Sequence, residues 1–296
     1  MLEWKPRRLL GGGIGIGAML AILLLDGVLL QILINSPISI ASFVLGLLIA
    51  LSLPLLAILG FLLYGLFSLR YLMGRDSLVI SWARRQEIIP LAAIESITSV
   101  ADLDERIKAR GLCWPGHCVG RGCDDRGAEV RFYSTGHRAQ ELMIITPVVA
   151  FVISPSNPAG LLAAVRARRR LGPAQDLQQT RTERGLVALP IWRDWKALGL
   201  AASGVVANAG LFAYVTLRYP HLPELVPLLF EAGQVRLIGA KEELFELPII
   251  GLTVLVANTA LGFALHRWER LLTYFLGSIA LLAQILFWSA VISVMR

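Results

Sequence analysis

Five apolar runs, each about as long as a bilayer is thick, constrain this 296-residue chain more than any other feature. They cover about residues 9–34, 38–69, 195–217, 247–265 and 271–294. A helix crossing the hydrocarbon core needs roughly 20 apolar residues, so the expectation is an integral membrane protein with an α-helical bundle of about five transmembrane helices. Composition agrees: 56% of residues are hydrophobic and only 17% charged, far more apolar than an ordinary soluble domain. Only "NSP" separates the first two runs and only "HRWER" the last two, so each pair reads as a hairpin. Pro54, near the middle of the second run, predicts a kink or a tilt. A cleaved leader is the competing reading of the charged "MLEWKPRR" start. Asp26 interrupts the run behind it and no small-residue cleavage site follows closely, which disfavours that reading.

Basic residues set the orientation. Lys5, Arg7 and Arg8 precede the first run, and Arg70, Arg75, Arg84 and Arg85 follow the second. Arg193 and Lys196 precede the third, and Arg267 and Arg270 sit in the last turn. With five spans all of them fall on one side, which the positive-inside rule makes the cytoplasm. The expected placement is the cell inner (plasma) membrane, multi-pass, with the N-terminus cytoplasmic and the C-terminus extracytoplasmic. The chain then divides into a two-helix transmembrane hairpin (1–69), a cytoplasmic domain (70–172), a linker (173–194), and three transmembrane helices (195–296) with an extracytoplasmic loop at 218–246.

The stretch from Arg70 to Lys196 holds 19 of the 28 basic and 13 of the 21 acidic residues, a net charge of +6. Short segments rich in β-branched residues recur along it: "DSLVISW" (76–82), "RQEIIPL" (85–91), "IESITSV" (94–100), "EVRFYST" (129–135), "ELMIIT" (141–146) and "VVAFVIS" (148–154). Strands of this length and spacing suit a barrel or sandwich. The period then changes. Asn157 reads as an N-cap, Pro158 suits the first helical position, and Leu161, Leu162 and Val165 form one face of a helix running to Gly172. The expected domain is an inserted cytoplasmic β-barrel of six or seven strands plus one C-terminal helix.

The order of these elements, the "IPLAAIESI" phrase, the "GLCWPGHCVGRG" segment and the "ISPSNPAGLLAAV" lead into the helix resemble the bacterial pleckstrin-homology-like (PH-like) domains of membrane proteins of unknown function. The resemblance covers about residues 70–172. It implies a partly open, seven-stranded barrel plugged by its helix, on a fold that hosts lipid, peptide and protein binding alike. A second, weaker resemblance lies in "LPELVPLLFEAGQVRLIGAKEELFELPI" (222–249), similar to a proline-rich extracytoplasmic motif of another uncharacterised bacterial membrane family. Leu229 and Phe230 stand where that motif has a His-Phe pair, and Arg236 stands about where it has an aspartate, while Gly233 and Lys241 are kept. The simpler expectation for this stretch is a proline-stiffened cap over the helix ends.

The three cysteines and His117 crowd into "RGLCWPGHCVGRGCDDRG" (110–127). Cys113, His117, Cys118 and Cys123 are enough ligands for zinc, but adjacent His117 and Cys118 do not easily meet one ion. A redox pair would be expected as Cys-x-x-Cys, and a reducing cytoplasm favours free thiols. The favoured expectation is a structural loop, ahead of a metal or a redox site. No nucleophile elbow, His-Glu-x-x-His or phosphate loop is present. The glycine run Gly11–Gly17 opens a span, where Gly13 and Gly17 would let helices pack closely. His137, His221 and His266 are scattered singly.

Polar residues inside the spans are the remaining candidates: Asp26, Asn208, Asn258 and Gln284. A charge at Asp26 is costly unless paired, protonated or wet, whereas the amides read as interhelical hydrogen-bonding groups. The functional expectation is a non-enzymatic membrane protein whose PH-like module serves interaction or regulation, as a scaffold or accessory subunit. The alternative is a transporter or ion-conducting protein built around Asp26. No cofactor, metal or nucleic-acid partner is expected. The expected partners are the lipid bilayer, anionic lipid head groups and an unidentified protein. Arg166, Arg168, Arg169 and Arg170 are the candidate binding residues for an anionic membrane surface.

Overall fold

A computed structural model of the chain describes residues 2–102, 108–124, 127–136, 140–171, 175, 177–183, 185–231 and 234–295. His137, Gly172, Gly233 and Arg296 lie outside the described residues. The chain forms two compact units. One comprises residues 1–25 and 52–187, the other 26–51 and 188–296.

In the first unit, the start of helix α1 (Leu9–Asn35) and the end of helix α2 (Ile40–Ser68) accompany a sheet region. α2 continues through Pro54. The strands are β1 (Leu2–Trp4), β2 (Arg70–Met73), β3 (Ser77–Trp82), β4 (Arg85–Pro90), β5 (Ser96–Ser99), β6 (Lys108–Trp114), β7 (His117–Cys123), β8 (Glu129–Ser134), β9 (Leu142–Ile145) and β10 (Ala150–Ile153). Helix α3 (Pro158–Arg169) follows, then β11 (Thr180–Glu183). The strands make two sheets, ordered β1-β2-β3-β4-β11 and β5-β9-β10-β8-β7-β6. The first is antiparallel throughout. In the second, β8 and β10 run parallel and the other neighbours antiparallel.

The expectation of a closed barrel is therefore corrected. Among the described residues no backbone ladder joins one sheet to the other. β1 and the late β11 take the two edges of the first sheet, so β2 and β4 are interior strands paired on both sides.

Side chains join the sheets instead. Strand β3 alternates, turning Leu78, Ile80 and Trp82 inward. They meet Ile89 of β4, Leu142 and Ile144 of β9, Phe151 and Ile153 of β10, and Leu161 and Val165 of α3 in one core. The Tyr71 hydroxyl donates to the Tyr133 carbonyl at 2.7 Å and accepts from the Ser154 amide at 3.1 Å, linking β2 to β8 and to the end of β10. Burial pushes the Tyr71 pKa up to about 12, so its proton stays in place for that bond.

The second unit holds helices α4 (Trp195–Arg218), α5 (Glu246–Leu265) and α6 (Arg270–Val294), with the end of α1 and the start of α2. With α1 and α2 these make five helices long and apolar enough to cross a membrane. Between α4 and α5, the stretch read as a cap contains an antiparallel hairpin, β12 (Leu225–Glu231) and β13 (Gln234–Ala240).

Candidate functional site

The cysteine-rich segment is a β-hairpin, not a loop. β6 and β7 pair from Lys108 opposite Cys123 to Trp114 opposite His117, and Pro115 and Gly116 form the turn. Gly116 has φ +83°, the conformation a turn with proline before it requires and that glycine adopts without strain. Cys113 and Cys118 face each other across the two strands and form a disulfide, while Cys123 is free and exposed. The expectation of three free thiols is thus corrected: the pairing register brings two sulfurs together that sequence spacing alone would not.

The tip of this hairpin seats on the first turn of α1. The Trp114 indole donates to the Gly11 carbonyl at 3.0 Å. A Cβ added at Gly11 would lie 2.1 Å from the Gly116 carbonyl oxygen, so two glycines facing each other permit the approach. His117, 1% exposed, lies against Trp114 with ring centroids 4.4 Å apart, and neither ring nitrogen has a hydrogen-bond partner. Burial pulls its pKa down to about 4, so the ring is neutral at ordinary pH.

A second hairpin tip seats on the end of α2. The Ala83 amide, in the β3–β4 turn, donates to the Ser68 hydroxyl at 2.7 Å. Trp82 packs edge-on against Phe61 at 5.6 Å and lies over Gly65, where a Cβ would sit 2.5 Å from the indole. Leu62 and Leu69 enter the sheet core itself. Arg8 donates to the Leu69 carbonyl, tying the start of α1 to the end of α2.

Gly12 and Gly15 bring α1 against Phe67 and Leu63, whereas nothing lies within 4 Å of a Cβ at Gly13 or Gly17. The glycine run is a packing device, as expected, but on the opposite face of the helix. Gly11 and Gly15 are four residues apart and share the side turned to α2 and the hairpin.

Between the sheets lies a buried charge network. Glu87 of β4, 2% exposed, pairs with Arg131 of β8 at 3.0 Å and Arg181 of β11 at 3.5 Å, and accepts from the Tyr133 hydroxyl at 3.0 Å. Glu129 pairs with Arg131, and Glu183 with Arg181 and Arg85. With Arg121 at 3.9 Å from Glu129, three carboxylates meet four guanidiniums, and the two that reach Glu87 make its burial tolerable. Burial and the Glu87 charge raise the Tyr133 pKa, fixing it as a donor.

The four arginines at the end of α3 are not equivalent. Asn157 caps the helix by accepting from the Gly160 amide at 2.9 Å, and Leu161 and Val165 are buried. Arg166, Arg169 and Arg170 are exposed. Arg168 is half-buried and donates to the Met73 carbonyl at 3.3 Å, at the end of β2, so it is committed within the domain. At its other end α3 starts beside the Ser156 amide, which donates to the Lys5 carbonyl at 3.1 Å.

Of the four polar residues in the spans, two come together. Asn208 of α4 donates to Gln284 of α6 and to the Pro248 carbonyl of α5, both at 3.0 Å, and Gln284 donates to the Gly251 carbonyl at 2.8 Å. Both amides are buried and tie three helices together. Asn258 bonds back to the Val254 carbonyl of its own helix at 2.8 Å. Asp26 is half-buried on α1 and is not left without a partner. Among the described residues no three His, Cys, Asp or Glu side chains gather where they could hold an ion.

Residues 69–169 match the family described as the bacterial PH domain. No curated protein and no solved structure matches the chain. The match starts at the last residue before β2 and stops at the end of α3, so it lends nothing to the resemblance at 222–249. The stretch from β2 to α3, with its helix-capped strands seated on the ends of two apolar helices, is the part of the chain similar to a bacterial PH domain.

Proposed function

We propose that this is a non-enzymatic, multi-pass protein of the inner (plasma) membrane whose cytoplasmic PH domain acts as an interaction or regulatory module, in the manner of a scaffold or accessory subunit. The observation that supports this reading is the seat of the domain: two hairpin tips rest on α1 and α2, and Leu62 and Leu69 of the α2 end are part of its core. A load applied to a domain so joined is felt by the spans, because packed interiors transmit displacement. The exposed Arg166, Arg169 and Arg170 offer a cationic surface to anionic lipid head groups or to an acidic protein segment. Each basic residue near an anionic bilayer contributes about 1 kcal/mol, which orients a domain without selecting a lipid.

The test uses the full chain in native membranes, because the domain shares its core with α2. Photo-crosslinking residues placed at positions 166, 169 and 170, followed by purification in mild detergent, should yield adducts with one protein or with lipid. The absence of adducts at all three positions would overturn the proposed surface. Reporters active only in the cytoplasm, fused after Leu171 and after Met295, should be active at the first site and silent at the second. The reverse pattern would overturn the orientation, and would sit better with the Cys113–Cys118 disulfide, since disulfides persist in oxidising compartments.

A further inference from the structure

At one end of the α4–α5–α6 bundle, His266, Asp194, Thr273 and Tyr274 form a cluster that no sequence motif announces. Asp194 caps α4, its Oδ1 accepting from the Lys196 and Ala197 amides at 3.1 and 3.2 Å, and its Oδ2 accepts from the Tyr274 hydroxyl of α6 at 2.5 Å. His266 closes α5 and is 3% exposed. Its Nδ1 lies 3.1 Å from Thr273 Oγ1, and its Nε2 lies 3.8 Å from Asp194 Oδ2 with no hydrogen-bond partner.

The direction of these bonds follows from counting protons. Thr273 has one, and it goes to the Gly262 carbonyl at 2.9 Å, a group that can only accept. Thr273 must therefore accept from His266, which puts the imidazole proton on Nδ1. Nε2 is left as a bare lone pair, buried and facing a carboxylate. This polarity is also the reverse of a nucleophilic triad, in which the hydroxyl donates to the imidazole.

We propose that His266 is a proton-binding site. A second proton, taken up at Nε2 from solvent, turns the 3.8 Å approach to Asp194 into an ion pair and latches the start of α4, the end of α5 and the start of α6 to one another. The other charged and titratable groups at this end are Arg193 and Lys196 beside Asp194, Arg267 and Glu269 in the α5–α6 turn, and Arg270 and Tyr274 on α6. The four cations and Glu269 are all exposed, where solvent screens them. Asp194 Oδ2 is the carboxylate oxygen that faces the buried ring.

The test uses the full chain in lipid nanodiscs. Histidine-selective nitrogen NMR should show His266, identified by the loss of its signal in His266→Asn, protonated on Nδ1 at pH 8 and on both nitrogens at pH 5. Hydrogen exchange of the first turn of α4, corrected for the intrinsic pH dependence, should slow at least tenfold between pH 8 and pH 5 in the wild type. His266→Asn, which keeps a donor at the Nδ1 position, should show no such slowing, nor should Asp194→Asn, which keeps a capping oxygen. His266→Gln, which offers an amide N–H where Nε2–H would be, should be slow at both pH values. A proton on Nε2 at pH 8, a neutral ring at pH 5, or equal acid-induced slowing in the wild type and Asp194→Asn would each overturn the proposal. The wild-type hydrogen-exchange reading stands even where a variant fails to fold, and His266→Gln gives a second route to the NMR assignment.

Discussion

The sheet domain and the helical bundle both bury hydrogen-bonding side chains, and they do so with opposite electrical choices. Between the sheets the buried groups are ions, with Glu87 held by Arg131, Arg181 and Tyr133. Among the helices the deepest polar groups are neutral amides, Asn208 and Gln284, which bond to each other and to backbone carbonyls. At the first site the ion is ringed by partners from two strands, β8 and β11. A site flanked by hydrocarbon makes any surplus charge costly. The molecule thus uses charge to join sheets and dipoles to join spans.

The comparison breaks most readily at Glu87. Glu87→Ala removes the buried carboxylate shared by Arg131, Arg181 and the Tyr133 hydroxyl, leaving each arginine only its more exposed partner, Glu129 or Glu183, and should destabilise the protein by roughly 3 kcal/mol, read as a large fall in thermal midpoint in detergent. Glu87→Gln, still able to accept from Tyr133, should fall less. If the alanine variant melts like the wild type, the network does not join the sheets.

Next comes pH. His117 is held neutral with a pKa of about 4 against the ordinary 6.5. Between these values the unfolded chain binds a proton that the folded chain refuses, so stability should be full above about pH 6.5 and fall as pH drops towards 4. The loss attributable to this residue is at most about 3 kcal/mol. His117→Phe should flatten that slope, and an unchanged slope would assign the acid sensitivity elsewhere.

A smaller effect tests the seat of the domain on the spans. Gly65→Ala drives a methyl group into the Trp82 indole and should cost about 1–3 kcal/mol, whereas Gly13→Ala meets nothing and should be neutral or stabilising. Equal effects in a thermal melt would mean that the Trp82 contact is not a tight one.

The smallest difference belongs to the amides. Asn208→Ala should cost only about 0.6 kcal/mol, the average for such contacts between membrane helices, and a double-mutant cycle with Gln284→Ala should give a coupling of that size. A coupling of several kcal/mol would show that the bundle depends on the pair as the sheets depend on Glu87.

The spans were legible because hydrophobic length is a local property: the boundaries read at residues 9, 195 and 294 coincide with those of α1, α4 and α6. Six strand segments and α3 were legible for the same reason, since β-branched runs and the Asn157-Pro158 cap act within a few residues. What escaped was non-local. β1 is three residues, too short to signal itself, and exists because β2 offers an edge. β11 is polar throughout and is recruited by β4 in the same way. The β6–β7 hairpin carried a visible sign in Pro115-Gly116, which the neighbouring cysteines overshadowed. Glu87, Asp194 and His266 left no motif, because each finds its partners across the fold.

The pairing of β1 with β2 bears on how the protein is made. Leu2, Glu3 and Trp4 lie opposite Met73, Leu72 and Tyr71, and both apolar helices intervene in the chain. β1 is therefore made before its partner strand and waits until α1 and α2 have been synthesised. The sheet gains its other edge only when β11 emerges, more than a hundred residues later. At about 5–20 residues per second that is an interval of many seconds with an unpaired edge beside the membrane, the period in which a nascent chain most needs a chaperone.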